Sequence, residues 1–477
     1  MRFLSKSGVT WPSPLPYAAA MTKHLFVAFL FASAAPALAQ SISPQVADLR
    51  ERALKDDYAY DIVEGLTTEV GPRLAGTDAE ARAREWAVRK LKAMGFANVR
   101  IEAFDMPVWV RGEEKAWITA PFPQPLAVTA LGNSGATPAQ GIEGELVGFS
   151  TLDELKAAPD SAVQGKIVFV DHRMPRTQDG SSYGYFGSPR REGPTIASRK
   201  GALAIVVRSI GTDQHRNPHT GAMRFEEGVA PIPAGALSVP DAEQVQRILK
   251  RGQPVRLKLV LTPRNIGTRQ SGNVIAEVPG RDPKAAPILV SGHLDSWDLG
   301  TGAVDDASGV AIAAASARRI MDAGRPLRTI RVVWFGAEEV GLFGGLDYRA
   351  KHGKEPHYAI VESDFGADRV WKVDSKLGKD REAEAKTLQS ALAPLGIVPG
   401  SLDEAEGSDI GPMLADGLPG VTLAQDGTHY FDLHHTADDT LDKVDPEALR
   451  QNVAAWTTML AVLSGGIEPE PKRRKQR

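Results

Sequence analysis

From Asn273 to Leu463 the chain repeats one pattern, in which a short apolar run gives way to a turn and then to a helix-like stretch. Asn273-Val274-Ile275-Ala276-Glu277-Val278 stops at Pro279-Gly280, and Pro287-Ile288-Leu289-Val290 is a second run. Thr329-Ile330-Arg331-Val332-Val333-Trp334-Phe335 is a third, and Tyr358-Ala359-Ile360-Val361 and Val421-Thr422-Leu423 follow. Helices are expected from Ser308 to Ala323, closed by Gly324, and from Pro446 to Leu463. Strands this short and this apolar need cover on both faces, and strand–helix alternation supplies it. The predicted architecture is α/β, a mixed sheet sandwiched by helices. In such sheets ligands bind beyond the carboxyl ends of the strands.

Upstream the texture is different. Ser43-Pro44 reads as a helix start, and Thr77-Asp78-Ala79-Glu80 as a capping box opening a helix that runs through Trp86 and Leu91 to Gly95. Val99 to Phe104 reads as extended. From 121 to 263, short β-like runs such as Gly144 to Gly148 and Lys166 to Val170 alternate with Gly- and Pro-rich loops. This stretch is expected to be an inserted β-rich domain interrupting a main domain at 40–120 and 264–466. It shows no catalytic constellation, and its segment from Asp179 to Pro194, rich in Gly, Ser and Tyr, is expected to be an exposed loop. A length of 477 residues suits two domains.

Met21, Lys23 and His24, an apolar run to Ala32 and the small residues ending in Ala37-Leu38-Ala39 resemble a secretory signal peptide at 21–39. Residues 1–20 read as an upstream extension and 467–477 as a disordered basic tail. The competing reading of 21–39 is an uncleaved membrane anchor, but the apolar run is short for one. Export to a periplasmic or extracellular space follows. A net charge of −3 provides no attraction for nucleic acid, and the absence of cysteine leaves only His, Asp and Glu to hold a metal.

Five clusters at strand ends or in loops carry those residue types: Ser291 to Asp298, Gly302 to Gly309, Gly336 to Leu342, Glu362-Ser363-Asp364, and His434 to Thr440. Each has an ordinary explanation alone. His293 could be a satisfied polar residue, Asp305 and Asp306 could cap a helix, Glu338 and Glu339 could be a solvated helix start, and Asp364 could belong to a turn. Their co-occurrence in one pattern favours metal. Two ions about 3.5–4 Å apart can clamp a water and a carbonyl, which requires a bridging carboxylate, further His and carboxylate ligands, and a separate carboxylate to take the proton.

These motifs, together with Gly407-Ser408-Asp409-Ile410-Gly411-Pro412, resemble in order those of the co-catalytic zinc aminopeptidases and carboxypeptidases of peptidase clan MH, nearest the carboxypeptidase Q branch. A weaker likeness extends to Gly71-Pro72-Arg73-Leu74-Ala75-Gly76-Thr77, and the inserted stretch resembles a protease-associated domain. The resemblance implies two zinc ions per chain. His293, Asp305 and Asp364 would hold one and Asp305, Glu339 and His435 the other, with Asp305 bridging. Glu338 would be the general base, and Asp295 would orient His293. Some members place a tyrosine immediately before the last ligand histidine to polarise the carbonyl. Here that place is His434, so the contact falls to His434 or to Tyr430. The implied partners are short peptides, with no nucleic acid and no stable membrane partner; a homodimer stays open. A non-catalytic receptor-like relative would lack an intact metal set, which is complete here, and a glutaminyl cyclase would generally lack the insert. No G-x-x-x-x-G-K-[ST] loop and no G-x-G-x-x-G fingerprint after a strand points to a nucleotide.

Overall fold

The computed structural model describes residues 42–469. The signal-like segment at 21–39, the extension before it and residues 470–477 of the expected tail lie outside the described residues; the start of that tail is a correction, because Ile467–Glu468 is a strand paired with Arg325–Pro326 and Ile467 is buried. From Ile42 onward the described chain forms one compact unit.

Its first sheet has eight strands, in the order Ala97–Val110, Arg264–Val278, Ile330–Phe335, Ile288–His293, Ala359–Glu362, Gly420–Gln425, Val370–Lys376 and Val398–Pro399. Ile288–His293 runs parallel to both Ile330–Phe335 and Ala359–Glu362, which is parallel to Gly420–Gln425. Arg264–Val278 and Val370–Lys376 pair antiparallel at the flanks, so the sheet is mixed, as expected. Successive strand residues point to opposite faces. Val274, Ala276, Val290, Val332 and Val361 pack with the helices Ser308–Ala323 and Pro446–Leu463. Ile275, Leu289, Val333 and Ile360 pack on the other side with Tyr348 and Met413, from Phe343–His352 and Gly411–Ala415. Helical cover on both sides is why these strands lack a polar face.

Helix boundaries follow local chemistry. Pro446 occupies the first turn while the Asp445 carboxylate accepts from the Glu447 N–H at 2.9 Å. Helix Ser308–Ala323 stops at Gly324, whose φ of 137° suits glycine. At Asp78–Ala93 only half of the expected capping box forms. Thr77 Oγ1 accepts from the Glu80 N–H at 3.4 Å, but the Glu80 carboxylate does not reach back. It is buried against Arg84 at 2.8 Å and accepts from the Ser271 hydroxyl at 3.2 Å, and burial pushes its pKa up to about 7.

The chain leaves the first sheet along Ala97–Val110 and returns along Arg264–Val278, an antiparallel ribbon paired from Ala97↔Glu277 to Val110↔Arg264. Between them lies a second eight-stranded sheet: Gln124–Leu126, Glu114–Ala120, Arg256–Leu261, Ile142–Phe149, Ile167–Val170, Ala204–Arg208, Ala234–Leu237 and Val128–Ala130. It begins at Glu114, earlier than the expected 121, because Glu114–Ala120 pairs with Arg256–Leu261 while the Pro-rich composition starts only at Pro121. A further correction concerns the segment from Asp179 to Pro194. It is exposed only in part and is not all loop, since Ser182–Phe186 and Ser188–Arg191 are short helices and the ring of Tyr183 stacks on Phe431 at 4.8 Å, whereas Tyr185 is exposed.

Candidate metal centre

The parallel strands of the first sheet end at one edge, and the candidate ligands follow from those ends. His293 is the last residue of its strand, Glu338 and Glu339 follow Ile330–Phe335 after a short turn, and Asp364 lies two residues past Ala359–Glu362. Asp305 comes from the segment before helix Ser308–Ala323, and His435 follows the short helix Tyr430–Leu433.

These side chains converge on Asp305. Its Oδ1 lies 3.0 Å from His293 Nε2, which is also 3.2 Å from Asp364 Oδ1. Its Oδ2 lies 3.4 Å from His435 Nε2, which is 2.9 Å from Glu339 Oε2. One carboxylate therefore faces two separate His–carboxylate sets with its two oxygens. His293, Asp305 and Glu339 offer donor atoms within 4.8 Å of one another, as do Asp305, His434 and His435, and His293, Asp306 and Asp364. Asp306 is the weaker member of the last group, because its oxygens already accept from the backbone N–H groups of His293 and Gly309, both at 2.9 Å. The adjacent pair thus divides, with Asp306 capping the helix and Asp305 facing the cleft. A Cβ on Gly309 would lie 2.2 Å from Asp306 Oδ1, so only glycine admits that carboxylate.

The electrostatics suit cations. Burial and then neighbouring carboxylates hold Glu339 well above the usual range; Asp305 is raised too, burial coming first. Burial opposes protonation of His293, yet Asp364 and the surrounding acceptors raise its pKa well above normal. Glu339 Oε1 is buried without a hydrogen-bond partner. Three carboxylates and two imidazoles gathered this way are a donor set that fits two divalent metals, and their hard and borderline donors match zinc.

A surrounding shell fixes these groups. The Asp295 carboxylate accepts from the Glu338 and Glu339 N–H groups at 3.0 and 3.3 Å, which pins the turn bearing both glutamates. Its expected contact to the His293 ring is longer. His293 Nδ1 is 3.1 Å from the Asp295 carbonyl and 3.7 Å from the carboxylate, whose oxygens are committed to the turn. Ser408 donates to Asp364 at 2.6 Å. Asp439 accepts from the Val304 and Asp305 N–H groups at 2.6 and 3.2 Å. Fully buried Arg73 donates to the carbonyls of Leu294, Thr301 and Gly302, joining the loops that carry His293 and Asp305. Ala337 and His435 both have a φ of 60°, a region non-glycine residues seldom occupy, beside the proposed ligands.

The two candidates for carbonyl contact differ in setting. His434 stacks on His435 with centroids 3.5 Å apart, its Nε2 lies 3.7 Å from Asp305 Oδ2, and its Nδ1 is buried without a partner. Burial, then Arg190, keeps its pKa well below normal. Tyr430 packs its ring on Phe365 at 4.7 Å and on His434 at 4.9 Å. Both line a cavity of about 350 Å³ with Asp305, Glu338, Glu339 and Asp364.

Loops and short helices between the strands of the second sheet also reach this centre, a contact not expected from the sequence. The Thr220 carbonyl lies 3.3 Å from His435 Nδ1, and the Thr220 N–H donates to the His435 carbonyl at 3.0 Å. Arg176 binds Asp432 through two nitrogens at 2.7 and 2.8 Å. Tyr183 and Arg190 line the same cavity. None of these residues stands in a recognisable local motif; only a contact map in three dimensions joins them to His435.

Comparisons with known proteins place the chain in a family. Residues 273–460 match the model of peptidase family M28. Carboxypeptidase Q of Bos taurus is 33% identical over 435 residues, covering 90% of each chain. The crystal structure of a peptidase M28 precursor from Shewanella amazonensis is 45% identical and covers 90% of this chain and 98% of its own, with a TM-score of 0.86. A zinc aminopeptidase from Bacillus subtilis, 20% identical with a TM-score of 0.62 over 87% of this chain and 98% of its own, shares the fold. Fold and long-range likeness agree, and the chain belongs to peptidase family M28.

Proposed function

We propose that this peptidase is an exported two-zinc exopeptidase acting on short unblocked peptides, dipeptides above all. The observation that carries the reading is the placement of Asp305, one oxygen toward His293 and Asp364 and the other toward His435 and Glu339. In this reading His293, Asp305 and Asp364 hold one zinc, and Asp305, Glu339 and His435 the other. Zinc held there supplies Lewis acidity toward a carbonyl oxygen and toward a water.

The chain's own residues do the rest. Glu338 lines the cavity beside Asp305 and Asp364, and its backbone is pinned by Asp295. Its carboxylate takes a proton from the attacking water and delivers it to the leaving amine nitrogen. Asp295 holds Glu338 and Glu339 in register, and Asp439 and Arg73 hold the loops of Asp305 and His293. A free α-ammonium group can meet the Glu338 carboxylate, the acid of this set not assigned to metal, and the cavity's size suits a small substrate. Carboxypeptidase Q and aminopeptidase relatives support exopeptidase action. The apolar run and the Ala37-Leu38-Ala39 site support export; among the described residues no helix is long and apolar enough to cross a membrane.

A dipeptide library offered to zinc-loaded protein, with and without N-acetylation, tests the reading. Free dipeptides should be hydrolysed and acetylated ones spared. Full activity on acetylated substrates would remove the free-amine requirement, and hydrolysis of none would remove the peptidase assignment of substrate.

A further inference from the structure

The other extensively buried arginines near the two sheets have either a carboxylate partner or an acceptor for every nitrogen. Arg84 pairs with Glu80, Arg111 with Asp298 and Glu114, and Arg208 with Asp171, while Arg73 is shared among backbone carbonyls. Arg190 differs. It is 6% exposed, donates to the Thr220 carbonyl at 3.2 Å and to the Tyr183 hydroxyl at 2.6 Å, and its Nε is buried with no partner. Among the described residues no carboxylate forms an ion pair with it. A buried cation left without an anion is costly, and an anion arriving from outside would offset that cost.

The place of Arg190 says which anion. It comes from the second sheet's side of the molecule and lines the same cavity of about 350 Å³ as Asp305, Glu338 and Asp364. On the reading above, Asp305, Asp364, Glu339 and Glu338 balance two divalent ions, so the arginine stays uncompensated in the loaded site. Its position is fixed relative to the metal ligands, because Thr220, which accepts from Arg190, also pairs through its backbone with His435. Gly221, with φ of 138°, clears the way; a Cβ there would lie 2.0 Å from Arg190 Nη1.

We propose that Arg190 binds the C-terminal carboxylate of the substrate, so that the cavity reads both ends of a dipeptide. This rests on the peptidase reading and deepens it. Hydrolysis breaks the peptide C–N bond, the water's hydroxyl going to the acyl carbon and its proton, by way of Glu338, to the amine nitrogen. The carboxylate held by Arg190 leaves with that amine. Arginine suits the task because its planar fork makes charge-assisted bonds to both oxygens of a carboxylate.

The test compares an unblocked dipeptide with its C-terminal amide on zinc-loaded wild type, Arg190→Gln and Arg190→Lys. Wild type should favour the acid. Arg190→Gln should raise KM for the acid by about 10- to 100-fold, leaving the amide nearly unchanged, as expected for a lost hydrogen bond to a charged group. Arg190→Lys should recover part of the difference. Equal wild-type turnover of acid and amide overturns the proposal while leaving the peptidase reading intact. So does an Arg190→Gln variant that loses both substrates alike, which would mark a purely structural arginine. Binding is read separately by thermal shift with each ligand. If hydrolysis is absent, a shift by the acid alone that vanishes in Arg190→Gln supports Arg190 even as the peptidase reading fails, and equal shifts by acid and amide overturn it. If the glutamine variant does not fold, the wild-type comparison of acid with amide decides.

Discussion

Both sheets contain a block of parallel strands whose ends run into charged residues, yet the two sets of ends behave differently. In the second sheet Ile167–Val170 runs into Asp171 and Ala204–Arg208 ends on Arg208, and the two meet at 2.6 Å with side chains 7% and 2% exposed. That pair closes on itself. In the first sheet the strand ends deliver His293, Glu338, Glu339 and Asp364 around Asp305, and the anions outnumber the protein cations beside them. Charge at a strand end is thus a poor mark of function, whereas charge left unbalanced among the side chains is a good one.

The strongest blow to the unbalanced set is Asp305→Asn. An amide keeps the shape but cannot present two anionic oxygens to two ions, so both metals and all measurable turnover should be lost. Metal analysis after dialysis checks this, and two ions retained tightly would remove the bridging role. Glu338→Gln should come next. It should keep both metals and lose about 10²–10⁴-fold in kcat, the usual range for a missing general base. Glu339→Gln should instead weaken metal binding. The reverse behaviour in the two variants would exchange their roles.

Asp439→Asn probes the shell behind the set. Asp439 accepts from the backbone of Val304 and Asp305, and an amide can satisfy only part of that. Metal affinity should fall about 10- to 100-fold, as is typical for such outer partners, measured by competition with a chelator. An unchanged affinity would confine Asp439 to holding the fold.

Much of the first sheet was legible because its information is local. Apolar runs without a polar face announced covered strands, and the helices Ser308–Ala323 and Pro446–Leu463 fall where their caps and glycine place them. The proposed ligands were legible through the likeness of their clusters to a family's motifs, each cluster lying within a few residues of a strand end or helix start. What stayed hidden depends on pairs far apart in sequence. Tyr183 and Arg190 occupy a stretch whose Gly, Ser and Tyr content reads as a loop, and only Phe431 and Thr220 reveal why it is helical and packed. Arg176 and Asp432, 256 residues apart, carry no mutual signal. Asp438 and Asp439 look alike in sequence, and only the backbone groups of Val304 and Asp305 distinguish them.

The smallest effect on chemistry should come from the balanced pair, and it separates the two sheets most sharply. Arg208 donates to Asp171 at 2.6 Å and lies 3.8 Å from the partly exposed Glu243. Arg208→Met fills similar space but leaves the Asp171 carboxylate buried without its cation. Removing one partner of a buried pair costs about 3–5 kcal/mol, so denaturant unfolding should show a large loss of stability. The cavity with Asp305 and Glu338 is untouched, so kcat per folded molecule should stay at the wild-type value. Replacing both members, Arg208→Met with Asp171→Leu, should recover most of the lost stability, because no charge is then left buried without its partner. The equivalent double replacement is impossible at the metal centre without ending the chemistry. If Arg208→Met instead lowered kcat while stability held, the second sheet would be tuning the site through its strand ends, and the contrast between a structural pair and an unbalanced set would fail.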